Sequence, residues 1–132
     1  MLKGINHITI AVSDLDASLH FYQNVLGMTG HVRWAAGAYL TVGEQWFCLS
    51  IDDPNPAKDY THIAFDVEKA DFLKMKERLD RHSVKEWKVN SSEGESIYIL
   101  DPDGHKLEIH VGSLQTRLDQ LKDLPYKDLQ WL

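Results

Sequence analysis

The sequence predicts an α+β fold built from two copies of one unit, in which a strand and a helix precede several further strands. The first observation is a repeated opening. Residues 7–12 read His-Ile-Thr-Ile-Ala-Val and residues 62–67 read His-Ile-Ala-Phe-Asp-Val, so both follow His-Ile-x-Φ-x-Val with Φ apolar. The second observation is that an amphipathic helical pattern and then strand-like segments follow each opening. Such internal repetition indicates two structural repeats that share a core.

The 132 residues fit one domain made of two half-size repeats. We expect repeat one at about 4–51, a linker at 52–58, repeat two at about 59–112, and a C-terminal helix and tail at 113–132. The linker reads Asp-Asp-Pro-Asn-Pro-Ala-Lys. Its two prolines disfavour regular structure, so an irregular connection is predicted between the repeats.

In repeat one, each element is predicted from its local pattern. In chain order, the elements are a strand over 5–12, a helix over 17–26 and strands over 29–34, 38–42 and 46–51. Ser13 and Asp14 offer an N-cap for the helix. Gly27 suits its C-cap. Apolar residues recur every three or four positions between these caps, as an amphipathic helix requires.

Repeat two shows the same order of patterns and ends in a β-hairpin. The predicted elements are a strand over 59–67, a helix over 68–81, a strand over 85–89, a loop over 90–96, hairpin strands over 96–100 and 106–111, and a helix over 113–121. The hairpin turn contains Pro102 and Gly104, which supply the fixed and the positive φ of a tight turn. Period two places Lys106, Glu108 and His110 on one face of the return strand.

Aligning the last strands of the two repeats identifies equivalent positions. If Tyr39 matches Tyr98 and the second turn has one extra residue, Cys48 occupies the place that Glu108 has in repeat two. Only repeat two therefore carries a carboxylate at this position.

His7, His62 and Glu108 form a candidate metal site, because the two histidines open the repeats and the glutamate closes the second. Two neutral imidazoles and a carboxylate make a facial triad that leaves coordination positions open for water or substrate. These ligands suit Mn, Fe, Co, Ni or Zn. His110 stays outside the ligand set, either as a hydrogen-bond partner of a ligand or as an exposed residue.

Composition narrows the classes of function. The formal net charge of −6 argues against nucleic acid as a partner. No apolar run is long enough for a membrane span, and no signal-peptide pattern opens the chain. The single cysteine cannot form an internal disulfide, which fits the reducing cytoplasm.

Four segments together resemble a known family. They are 1–9 (MLKGINHIT), 59–65 (DYTHIAF), 86–105 (EWKVNSSEGESIYILDPDGH) and 114–118 (LQTRL). The chain is similar to the vicinal oxygen chelate (glyoxalase-like) superfamily and, within it, to the manganese-dependent glutathione transferases of fosfomycin resistance. The resemblance implies two βαβββ repeats in a domain-exchanged homodimer. Each shared active site would take its first histidine from one subunit and its other two ligands from the partner.

The same resemblance implies roles for individual residues. Mn(II) would be bound by His7, His62 and Glu108. The phosphonate of fosfomycin would be bound by Thr9, Lys88, Ser92, Tyr98 and Arg117. A K⁺ activator would be held in the loop by Asn90, Ser92, Glu93, Gly94 and Ser96. Glutathione would lie near Trp34, Tyr39, Trp46 and Ser50, with Tyr39 the catalytic candidate for favouring the thiolate. Trp34 and Trp46 suit the core equally well.

The implied reaction opens the epoxide of fosfomycin with a thiol, while the metal polarises the epoxide oxygen. Two alternatives stay within the family: bacillithiol or cysteine as the thiol, and water with Glu44 as the base. Metal-free drug sequestration on the same fold is an alternative from a different class. An Fe(II) dioxygenase is a further rival. Ala36 is smaller than the residue expected in the glutathione pocket, which leaves the preferred thiol open.

Overall fold

A computed structural model describes residues 1–91 and 93–132, and its strands form two four-stranded sheets. The first sheet contains β1 (His7–Val12), β2 (Thr29–Trp34), β3 (Gly37–Val42) and β4 (Gln45–Ile51). The second contains β5 (Ile63–Asp66), β6 (Glu86–Lys88), β7 (Glu95–Leu100) and β8 (Lys106–Val111). Their orders, β1-β4-β3-β2 and β5-β8-β7-β6, are the same. The predicted duplicated α+β fold is therefore confirmed.

The strand register confirms the alignment of the two repeats. Tyr39 lies opposite Cys48 in the β3–β4 pair, and Tyr98 lies opposite Glu108 in the β7–β8 pair. In each sheet the first strand pairs in parallel with the last one. Because Cys48 and Glu108 hold the same place in their sheets, the repeats can be compared position by position.

The helices differ in detail from their predicted ranges. The helical segments are α1 (Leu15–Leu19), a π-helix (His20–Val25), a 3₁₀ turn (Lys69–Asp71), α2 (Phe72–Arg81) and α3 (Leu114–Asp123). The first helix was predicted to follow a Ser13–Asp14 cap and to continue over 17–26. Asp14 is the observed N-cap, and the helix begins at Leu15 and widens to π geometry after Leu19. At its end, the Leu26 N–H donates to the Phe21 carbonyl five residues back, at 2.9 Å. Hydrophobic periodicity does not reveal such a widening, because α and π turns differ little over six residues.

The strand predicted over 59–67 was too long at its beginning. Hydrogen bonds from the Thr61 side chain and from the Thr61 N–H, the latter at 2.9 Å, lower the pKa of Asp59 and form a local turn. The strand consequently starts at Ile63, and His62 lies just before it. Two of the other predicted strands, 29–34 and 106–111, match the observed ones, and the rest differ by one or two residues at an end, a normal margin.

Residues of the β7–β8 turn form hydrogen bonds with repeat one. The Tyr22 hydroxyl donates to Asp101 at 2.8 Å, and the His105 Nε2–H donates to the Ala11 carbonyl at 2.6 Å. Burial raises the pKa of Tyr22, and the charge of Asp101 raises it further. Asp103 accepts a hydrogen bond from the Ser13 N–H at 3.2 Å. These contacts hold repeat two against repeat one at the far end of its hairpin.

One apolar core lies between the elements of both repeats. It combines Tyr22, Leu40 and Phe47 from repeat one with Ile99 and Leu107 from repeat two, all fully buried. Helix α2 adds Phe72 and Leu79 as buried residues, with Met75 packed beside them, as its apolar pattern predicted.

Helix α3 begins with a capping box, in which Ser113 and Thr116 exchange side-chain and backbone hydrogen bonds. The predicted Ser113 cap is correct, and the helix extends two residues beyond its predicted end. Among residues 1–91 and 93–132, no helix has the length and apolar character that a membrane span requires.

Candidate active site

His62 and Glu108 meet in the second sheet. The His62 Nδ1–H donates to the Tyr60 carbonyl at 2.7 Å, which leaves a lone pair on Nε2 in the neutral ring. That Nε2 lies 3.1 Å from Oε1 of Glu108, whose side chain is buried. Two acceptors this close need a cation or a proton between them. The pair therefore has the orientation of two metal ligands, and the Tyr60 carbonyl fixes the histidine tautomer as metal-binding histidines require.

The second carboxylate oxygen of Glu108 has partners of its own. The Ser96 hydroxyl donates to Oε2 at 2.7 Å, and His110 Nδ1 lies 3.2 Å from the same oxygen. His110 is partly buried rather than exposed, and its hydrogen bond is to Ser96 at 2.6 Å, so it reaches Glu108 through the Ser96 hydroxyl. Ser96, predicted as part of the K⁺ loop, directs its hydroxyl to Glu108.

His7 lies on β1 of the first sheet and is exposed. Its Nδ1–H donates to the Asn6 side-chain oxygen at 2.7 Å, which leaves the lone pair on Nε2, as in His62. Its ring packs against Trp46 with a centroid distance of 4.4 Å. Within the described part of a single chain, no three His, Cys, Asp or Glu residues are grouped to hold a metal ion. One chain therefore brings together two of the three predicted ligands.

Two predicted phosphonate residues lie beside the His62–Glu108 pair. The Tyr98 ring is 6.2 Å from the His62 ring, and Lys88 Nζ is 4.8 Å from the Tyr98 centroid. Lys88 also donates to the Tyr60 hydroxyl at 2.6 Å. That hydrogen bond raises the pKa of Lys88, and the negative potential of Glu108 adds to the effect. The region thus holds a stable cation beside the carboxylate.

Tyr60 and Trp87 were missing from the predicted site. Their rings lie 4.8 Å and 5.6 Å from the His62 ring, so with Tyr98 they enclose the imidazole on several sides. Trp87 is fixed by a hydrogen bond from Nε1–H to the Leu107 carbonyl at 3.0 Å. No local pattern identified Tyr60, because the chain turns at Asp59–Thr61 before β5 begins.

Arg117 is connected to the predicted K⁺ loop. Its Nε lies 3.2 Å from Oε2 of Glu93, and Nη1 donates to the Tyr126 hydroxyl at 3.3 Å. Burial lowers the pKa of Arg117, but the hydrogen bonds to Glu93 and Tyr126 raise it by more, so the net shift is upward. Within the loop, the Asn90 side chain donates to the Gly94 carbonyl at 2.9 Å. Ser92, assigned to both the phosphonate and the K⁺ groups, lies outside the described residues.

The residues predicted for the thiol side lie on the first sheet. Tyr39 lies between Trp34, with a centroid distance of 4.7 Å, and Trp46, at 5.1 Å. Because Trp46 also contacts His7, the aromatic rings form a continuous row that ends at the histidine. Trp34 and Tyr39 are about 40% exposed (43% and 39%), so they form a surface rather than core.

The two remaining predicted residues lie on strands of the same sheet. Thr9 follows His7 by two positions on β1, so both share one exposed face. Ser50 is exposed on β4, opposite Gly37. Thr9 therefore lies beside His7, whereas Ser50 pairs with Ala11, four residues further along β1.

Comparison with known proteins agrees with this geometry. The model of the Glyoxalase/Bleomycin resistance protein/Dioxygenase superfamily matches residues 4–109. The chain is 52% identical over 131 residues to glutathione transferase FosA of Serratia marcescens, covering 96% of this chain and 93% of that protein. It is 39% identical over 128 residues to metallothiol transferase FosB of Lysinibacillus sphaericus (strain C3-41), covering 92% and 91%.

Solved structures of similar fold include the fosfomycin resistance protein FosX from Listeria monocytogenes in complex with Mn(II) and a sulfate ion. It is 30% identical, with a TM-score of 0.80 over 91% of this chain and 98% of that one. FosX from Mesorhizobium loti is also 30% identical, with a TM-score of 0.79 over 89% and 99%. The fold and site thus define a member of the glyoxalase superfamily. Within it, the chain belongs to the fosfomycin-resistance transferases of the FosA type.

Proposed function

We propose that this protein inactivates fosfomycin by adding glutathione to its epoxide, at Mn(II) sites shared between two subunits. The observation that carries the proposal is the buried Glu108 carboxylate facing His62 Nε2 at 3.1 Å, beside Lys88 and Tyr98. This arrangement combines a metal-binding pair with a cation suited to a phosphonate. The 52% identity to a glutathione transferase of the FosA type supports glutathione as the thiol.

The donor set fits Mn(II). Each histidine donates its Nδ1–H to an oxygen acceptor and keeps Nε2 for ligation. With one carboxylate, this gives two nitrogen donors and one oxygen donor and leaves positions for substrate oxygens. His7, His62 and Glu108 would hold the ion, and when bound it supplies Lewis-acid stabilisation of the oxygen released from the epoxide.

The homodimer completes the ligand set. His7 belongs to the first sheet, whereas His62 and Glu108 belong to the second. We propose that His7 of the partner subunit joins His62 and Glu108 in each site. Strands β1 and β5 lie at the edges of their sheets. The sheet edges next to the two histidines are therefore suited to contact between subunits.

Binding of the phosphonate follows from local charge. Although the chain carries a net charge of −6, Lys88 places positive charge near Glu108, and Arg117, ion-paired with Glu93, is the second predicted cation. Charge-assisted hydrogen bonds from these cations, and from the hydroxyls of Thr9, Ser92 and Tyr98, would orient the drug. Orientation brings the epoxide carbon within reach of the thiol.

In the reaction itself, the glutathione thiolate attacks an epoxide carbon, a C–S bond forms and a C–O bond breaks. The alkoxide that results takes a proton from water. Tyr39, in the exposed aromatic row with Trp34 and Trp46, would hydrogen-bond the sulfur and favour the thiolate. Ser50 would contact the peptide. Cys48 is buried and has no part as a nucleophile.

Two further assignments belong to this proposal. The loop containing Asn90, Ser92, Glu93, Gly94 and Ser96 would bind K⁺ as an activator, since its carbonyl and hydroxyl oxygens suit a hard monovalent cation. The enzyme would act in the cytoplasm, where glutathione is reduced.

Product analysis tests the proposal directly. Purified Mn(II)-loaded protein is incubated with fosfomycin and glutathione, cysteine, bacillithiol or no thiol, each with and without K⁺. We expect the glutathione adduct to form fastest and K⁺ to accelerate it. A diol without thiol would identify a hydrolase instead, although Glu44 is in the exposed two-residue turn between β3 and β4. Unchanged drug retained in stoichiometric amount would identify a sequestering protein.

A further inference from the structure

We propose that His110 is a positioning residue that orients the Glu108 carboxylate through the Ser96 hydroxyl. The inference rests on the proposed function, because it takes Glu108 as a ligand of Mn(II). His110 is not itself assigned as a ligand, and its contacts are with Ser96 and with the side of Glu108 that faces away from His62.

The hydrogen-bond chain has only one consistent direction. Ser96 Oγ lies 2.7 Å from Oε2 of Glu108 and 2.6 Å from Nδ1 of His110. A carboxylate can only accept, so the single hydroxyl proton of Ser96 points to Glu108. His110 must therefore donate from Nδ1–H, and the Ser96 oxygen at 2.6 Å is a closer acceptor than Oε2 at 3.2 Å. His110 thus donates to Ser96, and Ser96 donates to Oε2 of Glu108. The other carboxylate oxygen, Oε1, faces His62 at 3.1 Å.

The His110 ring is held in place by close packing around two glycines. A Cβ on Gly112 would lie 2.9 Å from His110 Nε2, and a Cβ on Gly94 would lie 3.0 Å from His110 Cε1. A Cβ on Gly94 would also collide with the Val111 carbonyl oxygen. A side chain at Gly94 or Gly112 would therefore crowd the imidazole. The imidazole connects the Glu108 carboxylate to the loop that carries Gly94.

Repeat one offers an internal comparison. The register pairs Ser96 with His110 in repeat two and Gly37 with Ser50 in repeat one. The residues equivalent to Ser96, Glu108 and His110 are therefore Gly37, Cys48 and Ser50. The repeat without the carboxylate also lacks the hydroxyl and the imidazole that would orient it. This difference fits a role of Ser96 and His110 toward Glu108, since a general requirement of the fold would apply to both repeats.

The test measures Mn(II) affinity and metal-free stability of the full-length protein in parallel. His110→Leu removes the donor, whereas His110→Asn keeps a side-chain N–H near the position of Nδ1. Free Mn(II) is titrated by electron paramagnetic resonance, and the melting temperature is measured after chelation. We expect His110→Leu and Ser96→Ala each to weaken Mn(II) binding by about 10–100-fold, the usual effect of losing a partner of a metal ligand.

The conservative and double variants distinguish positioning from packing. His110→Asn should restore most of the affinity that His110→Leu loses. The Ser96→Ala/His110→Leu double variant should bind no more weakly than Ser96→Ala, because His110 acts through Ser96. Wild-type Mn(II) affinity in His110→Leu, or fully multiplicative losses in the double variant, would overturn the inference. A loss in His110→Leu that tracks a lower metal-free melting temperature and is not rescued by Asn would also overturn it.

The same experiment also tests the proposed function separately. If the wild-type protein binds no Mn(II), the proposed function is wrong and this inference with it. If the wild-type protein binds Mn(II) and forms the adduct while His110→Leu does the same, only the role of His110 is wrong.

Discussion

Repeat one and repeat two have the same strand order and register but present different chemistry on equivalent positions. Repeat two places Glu108, Ser96 and Lys88 around its opening histidine, and repeat one places Cys48, Gly37 and Val32 at the matching positions. Repeat one differs in exposing a row of aromatic rings, Trp34, Tyr39 and Trp46, that ends at His7, whereas the rings around His62 accompany a carboxylate and a lysine. A duplicated backbone thus yields a polar half, which carries the charged groups, and an aromatic half, which carries the exposed row.

In the proposed reaction, the two halves would have different tasks. The polar half can bind a cation and an anionic substrate, because it has a carboxylate and a lysine close together. The aromatic half can accommodate a larger, flexible cosubstrate, because it exposes flat apolar surface with one hydroxyl. A site that joins the two halves across a subunit boundary would place the electrophile beside the nucleophile.

The largest expected effect concerns the position where the repeats differ most. Glu108→Gln should lower turnover of fosfomycin by at least about 100-fold, because an amide is a poorer ligand than a carboxylate. The matched control is Cys48→Ser at the equivalent position of repeat one, which should retain turnover. Adduct formation by mass spectrometry measures both. Comparable activity of the two variants would remove Glu108 from the ligand set.

Lys88 comes next, since its equivalent in repeat one is Val32. Lys88→Met should raise the KM for fosfomycin about 10–100-fold, the effect of losing one charge-assisted hydrogen bond of about 1.5–3 kcal/mol. The exposed Lys74→Met on α2 changes the net charge equally and should leave KM unaltered. Steady-state kinetics at fixed ionic strength compares them. Equal shifts in both variants would attribute the effect to overall charge.

A smaller effect is expected in the aromatic half. Tyr39→Phe should lower kcat/KM for glutathione roughly tenfold at neutral pH, because the sulfur loses a hydrogen bond that favours the thiolate. The deficit should shrink as the pH rises toward the pKa of free glutathione, and KM for fosfomycin should not change. A pH-independent deficit would indicate that Tyr39 only packs.

The smallest difference separates two turn glycines, one in each repeat. Gly43 and Gly94 both have positive φ, +55° and +78°. A Cβ at Gly43 meets no atom within 4 Å, whereas one at Gly94 meets Val111 and His110. Gly43→Ala should cost about 1 kcal/mol of unfolding free energy from backbone strain alone, and Gly94→Ala about 1–2 kcal/mol more. Urea denaturation measures both, and equal costs would contradict the packing around His110.

Much of this arrangement could be predicted from local pattern. The two openings at His7 and His62, the hairpin turn at Pro102 and Gly104, and the Ser113 cap are each recognisable within a few residues. The match of Cys48 to Glu108 followed from aligning Tyr39 with Tyr98. These features are predictable because turn chemistry, capping and strand alternation depend on neighbours in the chain.

Other features depend on residues that are distant in the chain. The π-helical widening after Leu19, the start of β5 at Ile63, and the ring of Tyr60 and Trp87 around His62 all arise from packing or from particular hydrogen bonds. The same holds for the Ser96 hydroxyl, which its place in the loop motif assigned to K⁺ and which the structure directs to Glu108.

By itself, the sequence determined the duplicated α+β unit, the three ligand candidates and the family. Only the tertiary structure decided which of those residues meet within a chain, which carboxylate oxygen faces His62 and which is held by Ser96. The reason is physical: secondary structure follows local periodicity, whereas the direction of a hydrogen bond depends on which donors and acceptors the folded chain brings within about 3 Å.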